Sequence, residues 1–263
     1  MTKNSVFDSP EANVKASIRS NFMLPALAVV DPLLTVGVPP DVTAATGLDA
    51  LTQCLEPYVC NACVPVPPRM RLRSADAASA CCRPNPLTDA ISLEGLRRAA
   101  RSLRAVCADG SNVAAREDLC VASLCGGLSL ANAKLGAVHG FAGPLGGMLH
   151  GPHGALCAAM LPAACAVNVE LLSAGGADAA PALQRFRTVA QVLTGRPDAS
   201  PADGVAWLQA LCDELKIPSL KAWGMTEERF GEAVAKGQKS SSMKGNPVAL
   251  TEEQMTEILR RSM

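Results

Sequence analysis

Apolar residues recur at helical spacing along most of the chain. Over residues 38–59 the leucines lie three or four positions apart, which places them on one face of a helix. The same spacing predicts helices over 87–109, 116–138, 155–172, 202–215 and 251–262. One short apolar run, Ala26–Val30, ends at Asp31-Pro32 and is typical of a buried strand followed by a turn. The pattern therefore predicts a mainly α fold built as a helical bundle.

Punctuating residues predict where several of these helices begin and end. Asp41 follows two prolines and is the predicted N-cap of the first helix, and Asn85-Pro86 opens the second. A glycine-rich stretch, 139–154, is predicted to be a junction before the apolar helix that follows it. Residues 173–181 are predicted to form a loop.

Residues 60–84 differ in composition from the rest of the chain. They contain four cysteines, four prolines and a small basic cluster, which predicts an irregular insertion. No internal repeat or domain linker is evident elsewhere. We therefore divide the chain into a small N-terminal part, 1–37, and a helical domain, 38–263, that carries the insertion.

Composition and charge exclude several classes of function. The 24 basic and 24 acidic residues balance, so there is no global positive field to attract nucleic acid. We see no apolar run of about 18 residues that would span a bilayer and no apolar segment of a secretory signal at the N-terminus. Eleven cysteines, an odd number in a chain of this size, argue against a disulfide framework. We expect a cytoplasmic, reducing location in which most cysteines are buried hydrophobic residues.

The histidines are the first sign of chemistry. All three, His139, His150 and His153, lie within one short stretch, and each is next to a glycine, which lets a ligand approach the backbone closely. His153 also lies at a predicted helix start, where the positive helix end favours a neutral imidazole. The clustering fits a metal or substrate site, and it equally fits histidines in a tight turn.

Asp49 is the natural carboxylate to complete such a site. It lies in the apolar helix GLDALTQCLEPY, where an unpaired carboxylate is costly to bury. Gln53 follows one turn later on the same face and offers a second oxygen donor. The alternative is an exposed polar stripe on an amphipathic helix.

Five blocks of this chain resemble, in order, the iron-containing (group III, metal-dependent) alcohol dehydrogenases of the dehydroquinate-synthase-like superfamily. They are GLDALTQCLEPY, NPLTDAISLEGL, LGAVHGFAGPLGG, PHGALCAAMLP and SSSMKGNP. The resemblance runs from about residue 2 to the C-terminus, apart from 60–84. It implies that 38–263 is the family's helical metal-binding domain and that 1–37 is a remnant of its nucleotide-binding α/β domain.

The resemblance also implies a ligand set. The family binds one divalent ion, Fe²⁺ or Zn²⁺, through an aspartate and three histidines. Asp49, His139 and His153 match three of these positions, and the separation of the two histidines is preserved. Gln53 stands where most members have the remaining histidine, and it is a weaker ligand for these metals. The expected metal residues are therefore Asp49, Gln53, His139 and His153.

The family reaction is hydride transfer between NAD(P) and an alcohol or carbonyl carbon. The resemblance implies that reaction here, with a small-molecule alcohol, aldehyde or ketone as substrate and a homodimer as the assembly. Neither nucleic acid nor a membrane is an expected partner. Gly143 replaces a histidine that relays a proton in many members, and His150 is the nearby substitute. Lys15 matches a lysine near the family's cofactor.

The family's Gly-Gly-Gly-Ser phosphate loop is absent from this sequence, so we expect weak NAD(P)H binding by this polypeptide. The 60–84 stretch interrupts blocks that are adjacent in the family and resembles translated noncoding sequence, which suggests a gene-model or splicing product. Two other functions stay open. One is a zinc-structured interaction module held by Cys60, Cys63, Cys81 and Cys82. The other is a non-catalytic helical partner or regulator derived from the family.

Overall fold

The computed structural model describes residues 4–9, 14–60 and 84–263. These residues form a two-stranded antiparallel sheet and a bundle of α-helices, and the helices after residue 84 are joined by short turns and 3-10 segments. The strands are β1 (Asn4–Ser9) and β2 (Val14–Arg19). The helices are α1 (Pro40–Val59), α2 (Pro86–Ala108), α3 (Val113–Asn132), α4 (Ala137–Leu149), α5 (His153–Ala174), α6 (Ala180–Thr194), α7 (Pro201–Glu214), α8 (Phe230–Lys239) and α9 (Glu252–Arg261). The mainly α fold predicted from the sequence is confirmed.

Helix α1 occupies the predicted position but begins differently. Pro39 holds the N-cap position without a side-chain hydrogen bond, and Pro40 is the first helical residue. Asp41 therefore lies within the first turn, and its prediction as the N-cap is wrong. The fixed backbone angle of proline suits the first helical position, where no amide hydrogen bond is required.

Helices α2 and α3 pack against each other and against α1. The predicted start of α2 is confirmed, because the Asn85 side chain accepts a hydrogen bond from the backbone N–H of Thr88. A polar cluster joins the two helices on their outer side. Asp118 of α3 accepts hydrogen bonds from Arg101 of α2 at 2.6 and 2.8 Å and from Arg98 of α2 at 3.1 Å.

Helix α5 runs through the centre of the domain and contacts α1, α4, α6, α7 and α9. The sequence analysis found no apolar run long enough to span a bilayer, and this was wrong. Helix α5, with 22 residues, is long and apolar enough to cross a membrane. Its most apolar window is 78% buried by the other helices, however. That burial is what a central core helix shows, because its apolar surface is already covered by protein.

The glycine-rich stretch is mostly helical. Residues 137–149 form α4, and the backbone leaves the helix at His150, which adopts a left-handed conformation. The preceding helix α3 ends at Asn132, so the predicted single run through 138 is wrong. Apart from Gly143 and His139, the residues of α4 are buried. Tertiary burial of this apolar face outweighs the poor helix propensity of its glycines.

Residues 26–30 do not form the predicted buried strand. They are irregular and exposed, with Leu27 at 79% and Val29 at 81% exposure. In the described part of the chain, only β1 and β2 pair, so this run lacks the partner that a strand requires. Asp31 caps a 3-10 turn over Pro32–Thr35 instead.

Eight cysteines lie in the described residues, and all eight are free thiols. Six of the eight are buried, as expected for most cysteines, whereas Cys107 and Cys120 are only partly covered. Cys60 is buried just beyond the end of α1. Cys63, Cys81 and Cys82, together with most of the predicted 60–84 insertion, lie outside the described residues.

Candidate metal centre

Three helices bring the predicted ligands together. Asp49 lies in the middle of α1, His139 lies in the first turn of α4, and His153 is the first residue of α5. His139 Nε2 is 3.2 Å from Asp49 Oδ1, and His153 Nε2 is 4.0 Å from the same oxygen. The two imidazole rings are 5.5 Å apart between centroids. The structure thus places these three residues at one point.

Close packing of α5 on α1 makes this meeting possible. Gly154 follows His153, and a Cβ atom at Gly154 would lie 2.8 Å from the backbone oxygen of Ala45. A side chain there would push the start of α5 away from α1. The glycine next to His153 therefore serves contact between helices, whereas the sequence reading had assigned it to the approach of a ligand.

The cluster is buried on one side and open on the other. The side chains of His139 and Asp49 are 7% and 15% exposed, whereas that of His153 is 40% exposed. A ligand can therefore reach the centre from the side of His153. Such a gradient is typical of a site that holds an ion on protein donors and leaves one face accessible.

Two buried atoms at the centre lack hydrogen-bond partners among the residues that the structure describes. They are Asp49 Oδ1 and His139 Nε2, which lie close together but are not aligned as a hydrogen bond. Leaving such atoms unpaired is costly, and most buried polar atoms are paired. A cation between them would satisfy both. The donor set of carboxylate and imidazole suits a divalent transition metal, so the residues fit the ion that the sequence predicted.

Glu56 fixes the orientation of His139. Its carboxylate accepts hydrogen bonds from the backbone N–H of Val138 at 2.8 Å and from His139 Nδ1 at 2.7 Å. With its proton on Nδ1, the ring directs the Nε2 lone pair toward Asp49. A carboxylate behind a metal-binding histidine commonly sets the tautomer and raises the basicity of the ring. The sequence reasoning missed Glu56, although it lies on α1 two turns after Asp49.

The charges around the cluster shift its pKa values. Burial lowers the pKa of His139, but the carboxylates of Asp49 and Glu56 outweigh burial and raise it to about 10. Burial raises the pKa of Asp49, but His139 and His153 outweigh it and leave that pKa below its ordinary value. The two carboxylates therefore favour positive charge at this point, which a bound cation would also supply.

Of the other predicted site residues, Gln53 contacts this cluster. Gln53 donates a hydrogen bond from Nε2 to Asp49 Oδ2 at 3.0 Å. Gly143 lies on α4, one turn after His139. His150 is exposed at the end of α4 and is not among the clustered donors. Lys15 lies on β2, paired in register with Asp8, and β2 packs against α4.

One further donor was missed. Cys157 lies one turn after His153 on α5, and its thiol shares the cluster with Asp49, His139 and His153, all four donor atoms lying within 4.8 Å of one another. The Cys157 side chain is fully buried, and burial raises the pKa of its thiol well above the ordinary value. The spacing of four between His153 and Cys157 was available in the sequence, but an apolar helix gave no reason to distinguish this thiol from the other buried ones.

Comparison with known proteins identifies the family of the chain. Residues 78–263 match the family model described as the C-terminal part of the Fe-containing alcohol dehydrogenase family. The chain belongs to this family. The match to the C-terminal part also confirms the resemblance found in the sequence blocks.

Individual family members match over the whole chain. It is 33% identical to alcohol dehydrogenase 4 of Saccharomyces cerevisiae over 263 residues and 33% identical to 1,3-propanediol dehydrogenase of Klebsiella pneumoniae over 264. The crystal structure of a 1,3-propanediol oxidoreductase superposes with a TM-score of 0.81 at 32% identity, covering 100% of this chain and 62% of the other. The chain spans 61% of the length of both curated relatives.

Proposed function

We propose that this chain forms the metal-binding part of an NAD(P)-linked alcohol dehydrogenase or carbonyl reductase. In this proposal, residues 38–263 are the helical metal-binding domain, and 1–37 belong to the nucleotide-binding part. The convergence of Asp49, His139 and His153 around two unpaired buried atoms is the observation that supports it. Family membership supports the reaction class.

Each residue of the centre has a distinct task. Asp49, His139 and His153 hold a divalent ion, Fe²⁺ or Zn²⁺, while Glu56 keeps His139 in the tautomer that offers Nε2. When bound, the ion supplies a Lewis acid that polarises a carbonyl oxygen or lowers the pKa of an alcohol. The exposed side of His153 marks the face from which an alcohol, aldehyde or ketone approaches.

A nicotinamide cofactor would supply or accept the hydride, and the open side of the centre at His153 is where this chain would leave room for it. Lys15 is the proposed contact on the cofactor side, and its strand lies against the helix that carries His139. His150 as the proton-relay residue stays a prediction. The proposed surroundings are cytoplasmic, and the proposed assembly is a homodimer.

Metal analysis of the purified chain tests the centre. After equilibration with Zn²⁺ or Fe²⁺ and dialysis, we expect one ion per chain, and Asp49→Asn should lose it. Asp213→Asn is a matched control, because Asp213 accepts an equivalent hydrogen bond from Gln209 on the exposed face of α7. Equal metal content in the wild type and in Asp49→Asn would overturn the proposal.

A non-catalytic role is the second candidate, favoured by Gln53 and Gly143 at positions where the sequence comparison expects histidines. Oxidation of NADH and NADPH with short aldehydes separates the two. The enzyme hypothesis expects metal-dependent turnover that His153→Ala abolishes. A chain that binds one ion yet shows no turnover at millimolar cofactor supports the non-catalytic role.

A further inference from the structure

Cys157 is the one chemically reactive side chain at the centre that the proposed function does not use. It is completely buried, and it lies on the same face of α5 as His153, one turn away. Its Sγ atom is 3.6 Å from His153 Nε2. A buried cysteine alone indicates no site. This one, however, faces the same centre as the unpaired Nε2 of His139, whose side chain is only 7% exposed.

We propose that Cys157 is the fourth metal ligand, as a thiolate, and that Gln53 positions Asp49 without binding the ion. The inference rests on the proposed metal centre and specifies its ligand set as Asp49, His139, His153 and Cys157. When the sulfur binds the ion, its proton leaves to solvent.

The distances between donors fit this set. In a tetrahedral zinc site with ordinary bond lengths, nitrogen and oxygen donors lie about 3.4 Å apart, and sulfur lies about 3.6 Å from a nitrogen. The observed pairs are 3.2 Å for His139 with Asp49, 4.0 Å for His153 with Asp49 and 3.6 Å for His153 with Cys157. These three of the six donor pairs lie within about 0.6 Å of the tetrahedral spacing, and all four donor atoms lie within 4.8 Å of one another.

Gln53 is directed differently. Its amide nitrogen donates to Asp49 Oδ2, and its amide oxygen lies against α3, where a Cβ atom at Gly126 would be 3.3 Å away. The nitrogen is a donor and has no lone pair for a metal. The hydrogen bond occupies Oδ2 and leaves Oδ1 of Asp49 facing the histidines. Gln53 is in this way a positioning residue.

Charge and ligand type both favour the thiolate. Asp49 and Cys157 together supply two negative charges in direct contact with a 2+ ion, whereas a neutral amide supplies none. Burying an ion costs less when its ligands neutralise it. Thiolate is also a soft ligand that suits zinc, whereas oxygen donors suit harder ions. We therefore infer that this centre selects Zn²⁺ over Fe²⁺ more strongly than a site without sulfur.

Cobalt substitution tests directly whether the Cys157 sulfur binds the ion. The purified full chain is titrated with Co²⁺ under reducing conditions, and its absorption spectrum is recorded. We expect one equivalent to produce a near-ultraviolet band from thiolate-to-cobalt charge transfer. Cys157→Ser should lose this band, and Gln53→Ala should keep it. Cys212→Ser is the matched control, because Cys212 is also a buried thiol packed against α5.

Competition with a chelator gives a second measure. Cys157→Ser should weaken Zn²⁺ binding by at least about 10-fold, the lower end of what even indirect contacts to a metal cost, and it should narrow the preference for Zn²⁺ over Fe²⁺. Circular dichroism of each variant checks that the helices are intact. If Cys157→Ser unfolds, the less disruptive Cys157→Ala takes its place in both experiments.

The outcomes separate the two proposals. A cobalt site that Asp49→Asn abolishes, but whose spectrum is the same in Cys157→Ser and the wild type, leaves the metal centre in place and overturns the role of Cys157. A charge-transfer band that survives Asp49→Asn comes from cysteines elsewhere and also overturns it. Absence of any bound metal ends both proposals together.

Discussion

Replacing Glu56 by glutamine tests how the centre is organised behind its ligands. Glu56 is 5% exposed and accepts two hydrogen bonds, from Val138 N–H and from His139 Nδ1. Glutamine has nearly the same shape, but it has one acceptor oxygen and one donor group. In Glu56→Gln, one of the two partners must face the amide –NH₂ group.

Both arrangements carry a cost that follows from this geometry. If the –NH₂ faces Val138, two donors meet at the start of α4, and a buried N–H is left unpaired at a cost of about 1–3 kcal/mol. If it faces His139, the ring takes the other tautomer, and its proton lies on Nε2, where the metal should bind. We expect Zn²⁺ affinity to fall about 10- to 100-fold, as for other partners of metal-binding histidines. That loss corresponds to about 1.4–2.7 kcal/mol.

Two measurements distinguish a positioning role from a structural one. Urea unfolding of the metal-free protein gives the change in stability, and chelator competition gives the change in Zn²⁺ affinity. Glu214→Gln is the control, because Glu214 pairs with Arg104 on the surface and should leave Zn²⁺ affinity unchanged. Loss of stability in Glu56→Gln with wild-type zinc affinity would refute the assignment of Glu56 to the orientation of His139.

Two further predictions concern the scaffold. Gly154→Ala places a methyl group 2.8 Å from the backbone oxygen of Ala45, so we expect a loss of about 1–3 kcal/mol in urea unfolding and weaker metal binding. Gly231→Ala, in a helix with nothing within 4 Å of the new Cβ, should be neutral or stabilising, and equal effects of the two variants would contradict the packing argument. Asp118→Asn removes the charged partner of the arginines on α2, and we expect a loss of about 1 kcal/mol after solvent screening of those arginines. Burial raises the pKa of Asp118, but Arg101 and Ser102 outweigh it and lower that pKa, so this contribution is present above the unfolded value near 3.9 and is lost as pH falls through the lower folded value. A wild type and an Asp118→Asn variant whose stabilities still differ fully at pH 2 would show that the charge is not the cause.

The sequence predicted local features well where a short range of residues determines them. Asn85 followed by proline predicted a helix start, and the structure has the expected cap. Apolar spacing predicted α1, α7 and α9 to within a few residues. The prediction of a strand over Ala26–Val30 was wrong, because apolar character cannot show whether a neighbouring strand exists. The prediction of a junction over 139–154 was wrong, because glycine content alone does not show that burial holds a helix together.

At the candidate metal centre, the sequence by itself determined which residue types were available. It singled out Asp49, His139 and His153, because unusual clustering and the family blocks made these positions stand out. It could not assign Glu56 or Cys157. Glu56 lies 83 positions from His139 along the chain, and its contact exists only because α1 and α4 pack together. A carboxylate or thiol on an apolar helix looks the same in the sequence whether or not it faces a ligand.

The tertiary structure decided in which direction the side chains of this centre point. Helical spacing placed Asp49 and Gln53 on one face of α1, but only the neighbouring helices set which atom of each side chain faces the centre. The same packing turned Cys157, one buried thiol among several, toward His153. Periodicity along one helix fixes which residues share a face, whereas the proposed metal centre depends on how three helices meet, and that is a property of their packing.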